Sequence, residues 1–260
     1  MNRWPLIVAF LLTVPAIARI HPVSHPGAVP EPQSVLWIGA HPDDEAAAAP
    51  LLAHWCRDHG ARCTFLILTR GDAGQCRKSD GCAPDLASVR SAEEGSASQY
   101  FGAVLILLNL PDGGGASPPV WPHDLPATIA KYIDAVQPEL ILTFDPRHGT
   151  TCHPDHRAAA DAVLQAIPLL TTHPSVYLLE TRVVISADPL SIQFRPATDA
   201  ALRFDAGNAA WNAIAADMQR HPSQFDGALI AAVQSVPVVD RAVYIAPANV
   251  VMREAVDGCH

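Results

Sequence analysis

Short apolar runs alternate with stretches of helical periodicity through the first half of the chain. The runs are Ser34 to Ala40, Cys63 to Thr69, Val104 to Leu108 and Leu140 to Phe144. Between and after them lie Asp44 to Asp58, Leu86 to Phe101, Leu125 to Val136 and Asp155 to Ile167, each reading as a helix. Gly60 and Gly102 sit where two of these helices would end. Strands spaced by single helices predict right-handed βαβ units around a mostly parallel sheet. The expected fold is a Rossmann-like three-layer α/β/α domain. In such a sheet, ligands bind beyond the carboxyl ends of the strands. After about residue 175 the pattern weakens. Strands are expected near 175–180 and 241–246, and helices near 208–220 and 224–233.

Composition narrows the function classes. Hydrophobic residues make up 49% and charged residues 17%, enough apolar material for a sizeable core. The formal charge is −9 and no segment concentrates lysine and arginine, so nucleic acid is not an expected partner. Arg3 precedes an apolar run from Trp4 to Ala18 that ends Ala16-Ile17-Ala18. That pattern reads as a signal peptide over 1–18, followed by an extended Pro-rich lead-in over 19–33 and one domain over 34–260. The run is short for a membrane span, carries Pro5 and Pro15, and is followed by no cysteine at the cleavage site. No stable membrane anchor is expected after cleavage, and the product would be exported, periplasmic or extracellular. Six cysteines fit that compartment. Cys56 with Cys63 and Cys76 with Cys82 are close enough to bridge, leaving Cys152 and Cys259; other connectivities stay open.

Two segments carry chemistry. The first strand runs into His41-Pro42-Asp43-Asp44-Glu45, an imidazole and three carboxylates on one strand-to-helix turn. A helix N-terminus explains one or two acids there but not the crowd, which repels itself unless a cation neutralises it. The loop after the fourth strand holds His153-Pro154-Asp155-His156. If a helix starts there, the two histidines share a face. Two His and one Asp suit a divalent ion with an open position for water.

The sequence A-H-P-D-D-E after a first strand, with H-P-D-H after a fourth, resembles the PIG-L (LmbE-like) metal-dependent deacetylase family. Thr69 to Gly74, Arg90-Ser91-Ala92-Glu93 and Leu110-Pro111-Asp112-Gly113 resemble its intermediate motifs, and His221-Pro222-Ser223-Gln224 a weaker later one. The resemblance implies that His41, Asp44 and His156 bind the metal. It implies that Asp43 is the general base, that His153 steadies the oxyanion and protonates the leaving amine, and that Asp155 supports His153. Arg90 and Asp112 would contact substrate. The implied reaction removes an N-acetyl or N-acyl group from an amino sugar or a GlcNAc-containing glycoconjugate, with metal-activated water as nucleophile. Zinc is the first expectation, and iron is accepted by the same donors. A small-molecule or glycan substrate is implied; oligomeric state is left open. The competing readings are an amidase acting on a non-sugar amide and a silent carbohydrate-binding protein. Plainer readings also exist for single residues. Arg90 and Glu93 have the spacing of a surface ion pair, Asp112 could be a turn residue, and His221 reads as surface or packing.

Overall fold

A computed structural model describes residues 28–115, 118–199, 201–251 and 259. The expected leader, 1–18, and residues 19–27 of the lead-in lie outside the described residues.

The chain begins with β1 (Ser34–Gly39). A tight helical turn, Asp44–Ala48, then leads into α1 (Ala49–Leu52) and a wider helical turn, Ala53–Asp58. There follow β2 (Arg62–Thr69), α2 (Leu86–Phe101), β3 (Val104–Leu110), α3 (Leu125–Val136) and β4 (Leu140–Phe144). Next come α4 (Gly149–Cys152), α5 (Pro154–Ala166), β5 (Ser175–Leu179), β6 (Thr181–Ala187) and β7 (Leu190–Pro196). The chain continues through β8 (Leu202–Asp205), α6 (Asn208–Met218), α7 (Gly227–Gln234), β9 (Ala242–Pro247) and α8 (Ala248–Val251). Local chemistry sets several boundaries. The Asp85 carboxylate accepts from Ser88 N at 2.7 Å and starts α2, and Gly102 at φ 70° ends it.

Seven strands form one sheet in the order β3-β2-β1-β4-β5-β9-β8. β3 through β5 are parallel; β9 runs antiparallel to β5 and β8. Side chains of the central strands alternate between two cores, as the two-residue period of a strand requires. Val35, Trp37, Phe65 and Ile67 enter one core, covered by α1 and α6. Leu36, Ile38, Leu66 and Leu68 enter the other, covered by α3 and α5. The fold is therefore the expected three-layer α/β/α arrangement with a mostly parallel sheet. Strand order reverses between β1 and β4, so a crevice opens at their carboxyl ends.

The last third departs from expectation in two places. β6 and β7 form a separate two-stranded hairpin, and β8 adds an edge strand beside β9. The hairpin carries its own period-two signal: Ile192 and Phe194 are buried while Gln193 and Arg195 point outward. Disulfides join Cys56 to Cys63, Cys76 to Cys82 and Cys152 to Cys259.

Leu142 is fully buried on β4, beside Trp37 of β1 and Tyr177 of β5. Leu142→Ala should cost about 2–5 kcal/mol, read as a lower urea midpoint.

Candidate metal and catalytic centre

Asp44 organises the turn after β1. Its Oδ2 accepts from Ala40 N at 2.6 Å and His41 N at 2.8 Å. Its Oδ1 faces His41 Nδ1 at 3.5 Å and His156 Nε2 at 2.9 Å. Burial works against the charge, but His156 and His41 hold this carboxyl well below the usual carboxylate range. One oxygen is committed to the backbone and the other is offered to the crevice.

Both imidazoles are turned by their outer nitrogens. His156 Nδ1 lies 2.9 Å from the carbonyl of Gly149, an acceptor only, so Nδ1 carries a proton and Nε2 is the atom turned toward Asp44. Phe144, the last residue of β4, stacks on the same ring at 4.2 Å. His41 Nε2 lies 3.1 Å from Asp155 Oδ2 and 3.5 Å from Asp112 Oδ1, which leaves Nδ1 for Asp44's side. Outer-shell partners of this type fix the tautomer of a metal-binding histidine. His41, His153 and His156 each offer a ring nitrogen within 4.8 Å of the others. His41 and His156 each face the same Asp44 oxygen, and imidazole nitrogens with a carboxylate oxygen are donors that fit a divalent ion.

Asp43 stands beside this set without joining it. Its backbone is at φ 99°, ψ −8°, a conformation that side-chain-bearing residues rarely adopt. Asp43 N donates to Glu94 Oε2 at 3.3 Å, and Arg90 Nη2 donates to Asp43 Oδ2 at 3.0 Å. Burial raises the Asp43 pKa above the ordinary carboxylate value, and Arg90 opposes that rise. Arg90 also donates to the carbonyls of Pro42 and Gly71. Gly71 is required by that approach, because a Cβ there would lie 2.2 Å from Arg90 Nη1. The surface-pair reading of Arg90 with Glu93 is corrected: Arg90 is buried, and Glu93 instead accepts from Ser223 N and Oγ. Arg90 does line the cavity, as a substrate-facing residue would.

Beneath Asp43 lies a network that sequence reasoning missed. Glu45, Glu94, Asp217 and His221 are all fully buried. His221 Nε2 is 2.9 Å from Glu45 Oε1 and 3.9 Å from both Glu94 Oε2 and Asp217 Oδ1. Burial pushes the Glu94 and Asp217 carboxyls well up. Burial opposes charge on His221, yet Glu45 and then Glu94 carry it up to about 9. This buried cluster of one imidazole and three carboxyls lies under the strained turn, tied to it by Asp43 N on Glu94. The sequence signals were Glu45 in the acidic turn and His221-Pro-Ser-Gln; of the surface and packing readings of His221, the interior one holds, with Glu45 as its partner.

His153 caps α5: its Nδ1 accepts from Asp155 N at 3.2 Å. The ring is then neutral, with its proton on Nε2 facing the cavity. Burial, followed by His156 and His41, pushes its pKa down to about 4. Here the geometry corrects an expectation. The Asp155 carboxylate does not brace His153. It accepts from Gly113 N at 2.7 Å and faces His41. A Cβ at Gly113 would fall 2.4 Å from Asp155 Oδ1, which is why the loop after β3 needs glycine there. Asp112 is more than a turn residue. It accepts from Ala73 N and Gly114 N, tying the loops after β2 and β3 together beside His41, and its pKa is lowered. Burial opposes that lowering, and the His41 and backbone hydrogen bonds outweigh it.

The loop after β4 has its own anchor. Arg147 pairs with Asp145 and with Glu180, at 3.3 Å for the latter. Burial, then the hydrogen bond to Asp145, pushes the Glu180 carboxyl up to about 9. Cys152, next to His153, is committed to its disulfide rather than to the donor set.

A cavity of about 470 Å³ opens over these groups, lined by His41, Asp43, Asp44, Arg90, His153 and His156 among others. Asp112 lines it as well, and Asp155 sits behind His41. Fold and site together define a doubly wound α/β protein with clustered imidazoles and carboxylates at its switch point. Residues 36–167 match the PIG-L family, described as GlcNAc-PI de-N-acetylase, and the chain belongs to that family. It is 28% identical over 166 residues to the 1D-myo-inositol 2-acetamido-2-deoxy-alpha-D-glucopyranoside deacetylase of Kineococcus radiotolerans, covering 54% of this chain and 46% of that one. The chain spans about half the length of the curated relatives it matches. Among solved structures, the N,N'-diacetylchitobiose deacetylase of Pyrococcus horikoshii superposes with a TM-score of 0.64 at 16% identity, over 84% of this chain and 85% of that one. The 4-carboxy-2-hydroxymuconate hydratase of Pseudomonas putida KT2440 gives 0.62 at 18% identity, over 83% and 95%. At these identities the structures share the fold alone.

Two outcomes follow from the outer partners. Asp155→Asn should weaken divalent-metal affinity about 10–100-fold, measured by competition with a chelator. Burial, then Asp145, pushes the Glu180 carboxyl from 4.5 up to about 9. Its contribution to stability is full below its unfolded pKa and is lost as pH rises through about 9. Glu180→Gln should flatten that decline in urea midpoints taken between about pH 5 and 9.

Proposed function

We propose that this protein is a metal-dependent hydrolase that removes an N-acyl group from an amino sugar or a GlcNAc-containing conjugate. The observation that carries the reading is Asp43. A carboxylate of raised basicity stands next to a metal donor set, held off it by Arg90 and facing a cavity large enough for a sugar. Family membership and the deacetylase names of the relatives support the substrate class. Zinc is the proposed ion, held by His41, Asp44 and His156, because three N/O ligands and an open position suit catalytic zinc. When bound there, the ion supplies Lewis acidity, lowering the pKa of water and polarising a carbonyl.

The chain's own groups do the rest. Asp43 accepts the proton of the attacking water. His153, with hydrogen on Nε2, donates a hydrogen bond to the oxygen that gains negative charge. A neutral His153 has no second proton to give. Asp43 therefore returns the proton it took to the departing nitrogen. Arg90 fixes Asp43 for both transfers, and Asp155 keeps His41 turned.

The protein is further proposed to act outside the cytoplasm. Three disulfides, and a leader-like run at the start of the sequence, support this.

Asp43→Asn should keep its metal by elemental analysis and lose about 10²–10⁴-fold in amine release from N-acetylated sugars. Wild-type rates in that variant would remove Asp43 from the mechanism.

A further inference from the structure

The cavity has two unlike halves, and the sheet order separates them. On the β2–β3 side, its lining is polar or small: Gly74, Arg77, Arg90, Asp112 and Gly114. On the other side, the wall comes from the β6–β7 hairpin and from α6 and α7. Val183, Ile192, Phe194, Ile214, Met218 and Leu229 form most of it. None of the cavity-lining residues in that hairpin and those two helices has a polar side chain. Ile192, Phe194, Ile214 and Met218 are otherwise buried, so the fold has shaped an apolar surface and left it open to the metal donors. The wall continues outward. Ile185, near the hairpin turn, lines the cavity and is 53% exposed. An acetyl group presents a single methyl and would leave this wall almost uncovered.

We infer that the apolar half is an acyl-chain pocket, and that the preferred substrates are amino-sugar amides whose acyl group is an aliphatic chain longer than acetyl. This rests on the hydrolase reading above. The amide lies over the donor cluster with its polar amine portion on the β2–β3 side and its chain along the hairpin. Hydrolysis breaks the carbonyl carbon–nitrogen bond. The carbonyl carbon gains the water's OH and departs as a fatty acid, and the nitrogen gains the water's other proton and departs as a free amine. No other reactant is needed.

The test uses N-acetyl-, N-butanoyl- and N-octanoylglucosamine with the metal-loaded enzyme, read as kcat/KM for amine release. Binding of the same compounds to the Asp43→Asn protein is read by calorimetry. Each added methylene should raise kcat/KM and affinity about fourfold until the wall is covered, the equivalent of ~0.8 kcal/mol per buried CH₂. Val183→Thr and Leu229→Gln, both at half-buried positions, should cut the octanoyl-to-acetyl ratio several-fold in both readouts. Flat or falling values with chain length, in turnover and in binding, would overturn the pocket while leaving an acetyl-directed hydrolase standing. Chain-length-dependent binding sensitive to both substitutions, without amine release from any compound, would keep the pocket and sink the hydrolase reading. The octyl glycoside of N-acetylglucosamine is the remaining arm. Preference for it over N-octanoylglucosamine would place the chain on the sugar side and overturn the acyl assignment.

Discussion

The Asp44 carboxylate couples the fold to the chemistry. Taken into the interior alone, a charged carboxylate is costly. Here Oδ2 is satisfied by the amides of Ala40 and His41, and Oδ1 by two imidazoles. One of those imidazoles is three residues away; the other comes from the far side of a strand crossover. The arrangement exists only if β1 and β4 lie side by side, as they do at the reversal of strand order. The turn after β1 depends on where Asp44 points.

Around it, each polar group is held by another. His41 is turned by Asp155, Asp155 is gripped by Gly113 N, and Asp112 ties the neighbouring loops. Asp43 sits in strained backbone between Arg90 and Glu94, and Glu94 belongs to the interior cluster that contains His221. Such networks lose most when a single partner is removed, because the remaining partner is stranded without water. The same scaffold carries a hydratase and several deacetylases, so the fold by itself assigns no reaction. Side chains at the switch point carry that weight.

The first four strands and their helices were legible because parallel strands covered on both faces must be apolar without interruption. The meeting of His41, Asp44 and His156 was legible because an acidic crowd and a His-x-x-His pair fall at the same sheet edge. Three things were hidden for physical reasons. The partners Glu94, Asp217 and His221 come from separate helices and loops, and nothing local marks a buried charge whose counter-charge is distant in sequence. The turning of Asp155 toward His41 depends on loop geometry that spacing does not encode. The β6–β7 hairpin alternates on β7 but not on β6, where Val183, Val184 and Ile185 run consecutively.

The most direct test of the account is X-ray absorption at the metal edge of protein loaded with one equivalent of zinc. The account predicts a single ion with two imidazole nitrogens and a carboxylate oxygen at about 2.0–2.2 Å, with the His156→Ala spectrum losing one imidazole. A first coordination sphere unchanged in His156→Ala, or one with a single imidazole as the Glu45, Glu94 and His221 cluster would give, would contradict it.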